Sequence, residues 1–126
     1  MIDHASIAVS DLARSASFYE SALAPLGYVR IVDLPGTVGF GKRYPEIWLN
    51  ERPGLPRAPE GTGHHLCLRA RSEEVVGAFH AAALASGGRC DGPPGPRQAA
   101  LTTYFAAFVL DPDGNKLEAA SFPTAG

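Results

Sequence analysis

Apolar and polar residues alternate from Ile2 to Val9, with β-branched side chains among them, which predicts a strand. The period then changes. Asp11 supplies an N-cap, and Leu12, Ala16, Tyr19, Leu23 and Leu26 recur at helical spacing. Gly27 stands where a helix end favours a left-handed residue. Three short strands are expected next, around Tyr28–Asp33, Thr37–Gly41 and Glu46–Asn50.

The rest of the chain repeats this order. A strand is expected at His65–Ala70, followed by a helix capped by Ser72, striped by Val76, Phe79 and Ala83, and ended at Gly87-Gly88. Strands near Thr102–Leu110 and Lys116–Ser121 are joined by Asp111-Pro112-Asp113-Gly114, where proline fixes one φ and glycine accepts a positive one. Arg52–Gly61, with three prolines and two glycines, reads as a linker. Asp91–Ala100 reads as a second Pro/Gly-rich stretch that interrupts the second half.

Sliding the sequence by 61 residues makes the duplication explicit. HASIAVSDLARSASFYESALAPLGY falls on HLCLRARSEEVVGAFHAAALASGGR without a gap. His4 then meets His65, Phe18 meets Phe79, Ala22, Leu23 and Ala24 meet Ala83, Leu84 and Ala85, and Gly27 meets Gly88. The plan is strand–helix–three strands, twice: α+β, one domain over residues 1–126, with a first module at about 1–51, the linker at 52–61 and a second module at about 62–126. Neither half is large enough to bury its own sheet, so the two should pack together or against another copy.

Composition narrows the function. The chain is 45% hydrophobic and 19% charged, with a formal net charge of −2, so no basic footprint for nucleic acid or an anionic membrane surface is expected. No apolar run reaches the ~20 residues that span a bilayer. MIDHASIAVSD carries acidic and polar groups where a signal peptide needs a basic and then an apolar stretch, so a cytoplasmic protein is expected. Cys67 and Cys90 show no zinc or disulfide spacing and read as small buried hydrophobes.

Strand side chains alternate between faces. His4 shares a face with Ser6 and Ala8, His65 with Cys67 and Arg69, and Glu118 with Lys116 and Ala120. Each ligand-type residue lies on the more polar face. Two imidazoles and one carboxylate around a concave sheet suit one divalent ion such as Zn, Ni, Fe, Mn or Co, with positions left for water or substrate.

HASIAVSDLARSASFY, HHLCLRA and DPDGNKLEAA resemble the vicinal oxygen chelate superfamily, which includes glyoxalase I, extradiol dioxygenases, fosfomycin-resistance transferases and bleomycin-binding proteins. The resemblance covers nearly the whole chain. It implies the glyoxalase-like fold, two βαβββ modules forming a curved, open mixed sheet, with a metal held by His4, His65 and Glu118. It also implies a homodimer, since the family commonly builds its cavities from modules of two chains. Members with four protein ligands take a further Glu or His from the last strand of the first half. Aligning Ile47-Trp48-Leu49 with Leu117-Glu118-Ala119 puts Trp48 there, so three protein ligands are expected, and Glu118 remains to move protons. Glu46, on the same face, is an alternative acting through water.

Other residues divide between two readings. Trp48 is cavity wall or plain core, Phe105 is core, and Tyr104 lies where a cavity mouth would be. Arg97 is a clamp for carboxylate or phosphate, or a solvated loop arginine. His64 is expected at the surface or in a dimer contact, and His80 toward solvent. The functions that follow are a metal-dependent lyase or isomerase like lactoylglutathione lyase, acting on a small substrate, an Fe(II)-dependent extradiol-type dioxygenase, or a non-catalytic drug-binding resistance protein.

Overall fold

In a computed structural model, residues 1–123 are described. The first half runs β1 (Ala5–Val9), α1 (Leu12–Leu23), a 3₁₀ turn at Ala24–Leu26, β2 (Val29–Leu34), β3 (Thr37–Gly41) and β4 (Pro45–Glu51). The second runs β5 (Leu66–Arg69), α2 (Glu73–Ala85), β6 (Arg89–Gln98), β7 (Thr103–Leu110) and β8 (Lys116–Ser121). Each half makes one four-stranded mixed sheet, in the orders β1-β4-β3-β2 and β5-β8-β7-β6. The first-named strand of each sheet is parallel to its neighbour, and the remaining pairs are antiparallel. This is the glyoxalase-like fold, with two βαβββ units and open sheets.

The helices begin where their caps require. The Asp11 side chain accepts from the Arg14 N–H at 3.1 Å, and that of Ser72 from the Val75 N–H at 3.2 Å. Phe18, Tyr19, Ala22 and Leu23 of α1 and Val76, Phe79 and Ala83 of α2 are fully buried. The two helices pack on each other and on their own sheets, so both halves share one core. The opposite face of each sheet stays open.

Three expectations change. The stretch Asp91–Ala100 is largely strand, because β6 pairs with β7 from Arg89↔Leu110 to Gln98↔Thr103. Register shifts between Cys90 and Gly92 and between Gly92 and Gly95 let an edge strand carry three prolines, whose missing N–H groups cost no ladder bond on the outer side. The glycine that matches Gly27 is Gly87. Gly27 has φ +90°, with the Tyr28 N–H donating to the Leu23 carbonyl, and Gly87 has φ +100°, with the Gly88 N–H donating to the Ala83 carbonyl. The repeat therefore slips by one residue at the helix ends. Gly88 serves packing instead, since a Cβ there would lie 2.6 Å from the Phe18 ring. Both cysteines, finally, are exposed rather than buried.

The Asp111–Asn115 turn does more than join β7 to β8. Asp111 is buried and accepts from the Tyr19 hydroxyl at 2.6 Å, from the N–H groups of Asp113 and Asn115 at 2.9 and 2.8 Å, and from the Asn115 side chain at 2.9 Å. The Asp113 carboxylate accepts from the Ser10 N–H at 3.1 Å and the Ser15 hydroxyl at 3.4 Å. The Asn115 side chain also donates to the Ala8 carbonyl at 3.2 Å. The turn thus clasps β1 and α1 of the other half. Burial pushes Asp111 above the usual carboxylate range against the downward pull of its donors, and holds Tyr19 well above 10.

Candidate metal centre

Register fixes the open face of the second sheet. Cys67 on β5 and Phe108 on β7 both stand opposite Glu118 on β8. His65 immediately precedes β5, and its imidazole reaches across to Glu118 on the neighbouring strand β8. Its Nε2 lies 2.9 Å from Glu118 Oε1, and its Nδ1 lies 2.8 Å from the Gly63 carbonyl. The edge of the Phe108 ring packs beside it, with centroids 5.6 Å apart.

This pair fits a metal ion on its own chemistry. Both imidazole nitrogens face acceptors, while a neutral imidazole carries a single N–H. With Nδ1–H given to Gly63, the Nε2 lone pair points at a carboxylate, an arrangement that a shared cation or a second proton satisfies. Glu118 is 4% exposed, and its Oε2 is buried without a hydrogen-bond partner among the described residues. A buried carboxylate oxygen left bare costs desolvation free energy that a bound cation would offset.

The remaining residues of the expected site are spread more widely. His4 precedes β1 as His65 precedes β5, but it is exposed and bonds Asp3 at 2.8 Å. Among the described residues of one chain, no group of three His, Cys, Asp or Glu side chains is arranged to hold an ion. Trp48 stands opposite Ser6 and Gly39 on the first sheet, the same place that Glu118 holds opposite Cys67 and Phe108 on the second. It is half-buried on the open face, with its ring over Gly39, where a Cβ would meet it at 3.1 Å. Glu46 is half-buried, and an oxygen of its carboxylate accepts from the Lys42 N–H at 3.4 Å.

Tyr104 faces the site. Burial and then the Glu118 carboxylate push its hydroxyl above 10, and the Arg97 guanidinium partly offsets them. Its ring stacks on Phe122 with centroids 5.0 Å apart. Arg97, expected in a loop, lies on β6 opposite Tyr104, with its guanidinium 5.7 Å from the Phe108 ring centre and donating to the Pro93 and Pro96 carbonyls. Although Cys67 is exposed as a residue, partial desolvation of its thiol, and then the Glu118 carboxylate, push the thiol up to about 12, so it stays protonated. Phe105 packs against the core as expected. His64 is exposed, while His80 is partly enclosed: its Nε2 is buried without a partner among the described residues, and burial lowers its pKa.

Three features of the site had no role assigned from sequence. Phe108 gathers His65, Arg97 and Lys116 around one ring, and Lys116 also pairs with Asp91 at 3.0 Å. Arg69 lies 4.7 Å over the Phe122 ring. A cavity of about 440 Å³, lined by Ser6, Ala8, His64, His65 and Lys116, opens beside the β1 and β5 edges. No helix among the described residues is long and apolar enough to cross a membrane.

The model of the Glyoxalase/Bleomycin resistance protein/Dioxygenase superfamily matches residues 1–119. The chain belongs to this superfamily. Among solved structures, a glyoxalase/bleomycin resistance protein from Albidiferax ferrireducens T118 is 36% identical over 94% of this chain and 96% of its own, with a TM-score of 0.81. The E144Q mutant of glyoxalase I from Zea mays is 22% identical over 94% of this chain and 45% of its own, with a TM-score of 0.70. The fosfomycin resistance protein FosX from Listeria monocytogenes is 20% identical over 95% and 91%, with a TM-score of 0.69. The latter two share the superfamily's fold with this chain. No curated protein matches it.

Proposed function

We propose that this member of the superfamily is a cytoplasmic, homodimeric, divalent-metal-dependent enzyme with lyase or isomerase chemistry of the glyoxalase type, acting on a small substrate that offers two neighbouring oxygens. The observation that carries the reading is the His65–Glu118 contact, with one carboxylate oxygen buried and bare. His65 Nε2 and Glu118 would hold Zn, Ni, Fe, Mn or Co, and His4 of the partner subunit would supply the third ligand. A bound ion of this class supplies Lewis acidity to a chelated oxygen. Glu118 accepts a proton from the substrate carbon and returns it. The Tyr104 hydroxyl, held in its protonated form, donates a hydrogen bond toward substrate. Phe108 and Phe122 keep water from the reacting atoms.

Mixing two variants tests the assembly. His4→Ala and His65→Ala homodimers should each bind little metal. After unfolding and refolding together, each heterodimer should regain one site, made from the intact His4 of one chain and the intact His65 and Glu118 of the other. No recovery despite heterodimer formation, or full metal content in His65→Ala alone, refutes the reading. The same ligand set serves Fe(II)-dependent ring opening. Oxygen uptake with catechols under Fe(II) would redirect the proposal to that chemistry, and stoichiometric drug binding without turnover to a resistance role.

A further inference from the structure

Resting on that reading, we infer that the substrate carries an oxyanion, a carboxylate, phosphonate or phosphate, and that Arg69 is the residue that selects it. On β5, His65, Cys67 and Arg69 follow one another on the open face, and Arg69 stands opposite Ala120, two residues beyond Glu118 on β8. At about 3.3 Å per residue, that sets Arg69 roughly 6.6 Å further along the strand than Cys67. Its guanidinium lies over Phe122, Phe122 stacks on Tyr104, and Tyr104 neighbours Glu118. The dyad and the guanidinium are thus joined by one aromatic shelf.

Pairing separates this arginine from the other cations nearby. Lys116 is matched by Asp91, and the Arg97 donors turn to the Pro93 and Pro96 carbonyls. Among the described residues the Arg69 side chain makes neither an ion pair nor a hydrogen bond, its backbone alone being bonded in the ladder with β8. A guanidinium cannot shed its charge, and one held 4.7 Å over a ring with no carboxylate beside it can still offer N–H groups to a bidentate oxyanion. A ligand held there would lie over Tyr104, with its other end at His65 and Glu118. Arg97, over Phe108 on the far side of Tyr104, adds positive potential to the same face.

Phenylphosphonate, benzoate and uncharged benzamide are the probes, titrated calorimetrically into full-length protein with and without zinc. Phenylphosphonate and benzoate should bind, and benzamide should bind at least tenfold more weakly. Arg69→Met, which keeps the apolar stem over Phe122, should weaken phenylphosphonate at least tenfold in both zinc states and leave metal content unchanged. Arg69→Lys should fall between, and Arg52→Met, an exposed arginine elsewhere, should match the parent. Equal binding to Arg69→Met and parent, equal binding of benzamide and benzoate, or no binding of the anions to the parent overturns the inference. The functional reading fails separately. Arg69-dependent binding in a protein that takes up no metal would sink the metal centre and keep the oxyanion site, and metal held without any Arg69 effect would do the reverse.

Discussion

Set the two sheets on each other and one cross-strand exchange separates them. The first half aligns Ser6, Trp48 and Gly39 across three strands, and the second aligns Cys67, Glu118 and Phe108. Each trio contains one large ring. In the first it sits on β4 over a glycine, and in the second it sits on β7 and leaves the β8 position to a carboxylate. The histidine ahead of each sheet responds accordingly. His65 meets Glu118, while His4, with Trp48 in the corresponding place, turns to Asp3. The buried faces have changed far less, since Phe18 and Phe79 are both fully buried. Duplication preserved the core, and the open face was free to divide the work.

The turns differ in the same one-sided way. Asp111–Asn115 of the second half clasps the first, whereas the equivalent Lys42–Tyr44 turn is exposed. Asp111→Ala leaves the Tyr19 hydroxyl and two backbone N–H groups without their acceptor. It should cost about 3–5 kcal/mol in urea unfolding, against less than about 0.5 kcal/mol for Tyr44→Ala. Similar losses from both would erase the asymmetry. At the open faces, His65→Ala should lower metal affinity at least 100-fold, about 2.7 kcal/mol, by equilibrium dialysis, while Trp48→Ala leaves it within twofold. Trp48→Glu restores to the first half the carboxylate of the second. It should tighten metal binding about tenfold, about 1.4 kcal/mol, and unchanged affinity would mean that this strand does not reach the ion.

What could be read from the sequence was whatever depends on neighbours along the chain. Alternation and caps fixed both helices and every strand but β6, and aligning Ile47-Trp48-Leu49 with Leu117-Glu118-Ala119 put Trp48 in the place of Glu118, as the registers do. Strand β6 escaped because prolines usually argue against a strand, and only its position at the sheet edge permits them. The clasp escaped because Asp111 and Tyr19 are 92 residues apart and a local turn accounts for DPDG without them. Alternation placed Arg69 on the face of His65, but its role escaped because that comes from the ring beneath it. His4 and His65 matched by sequence, but one chain does not bring His4 to the dyad.

The smallest effects come from Tyr19 and His80, the same helical position in the two halves. Tyr19 found the clasp carboxylate, whereas His80 Nε2 is enclosed with no partner among the described residues. Their pH signatures should therefore be opposite. Burial, then Asp111, raises Tyr19, so from about pH 10 upward the unfolded chain sheds this proton while the folded one keeps it. The folded state then binds more protons, and stability falls as pH rises, by up to about 1.4 kcal/mol per pH unit from this group. Burial lowers His80, so just below pH 6.5 the unfolded chain takes up a proton that the folded one refuses, and stability falls as pH drops through that window. Tyr19→Phe should flatten the alkaline limb of urea midpoints against pH and leave the window just below pH 6.5, and His80→Gln should do the converse. If Tyr19→Phe leaves the alkaline slope unchanged, the hydroxyl is not held by the clasp, and the two halves are more alike at this position than the hydrogen bonds make them.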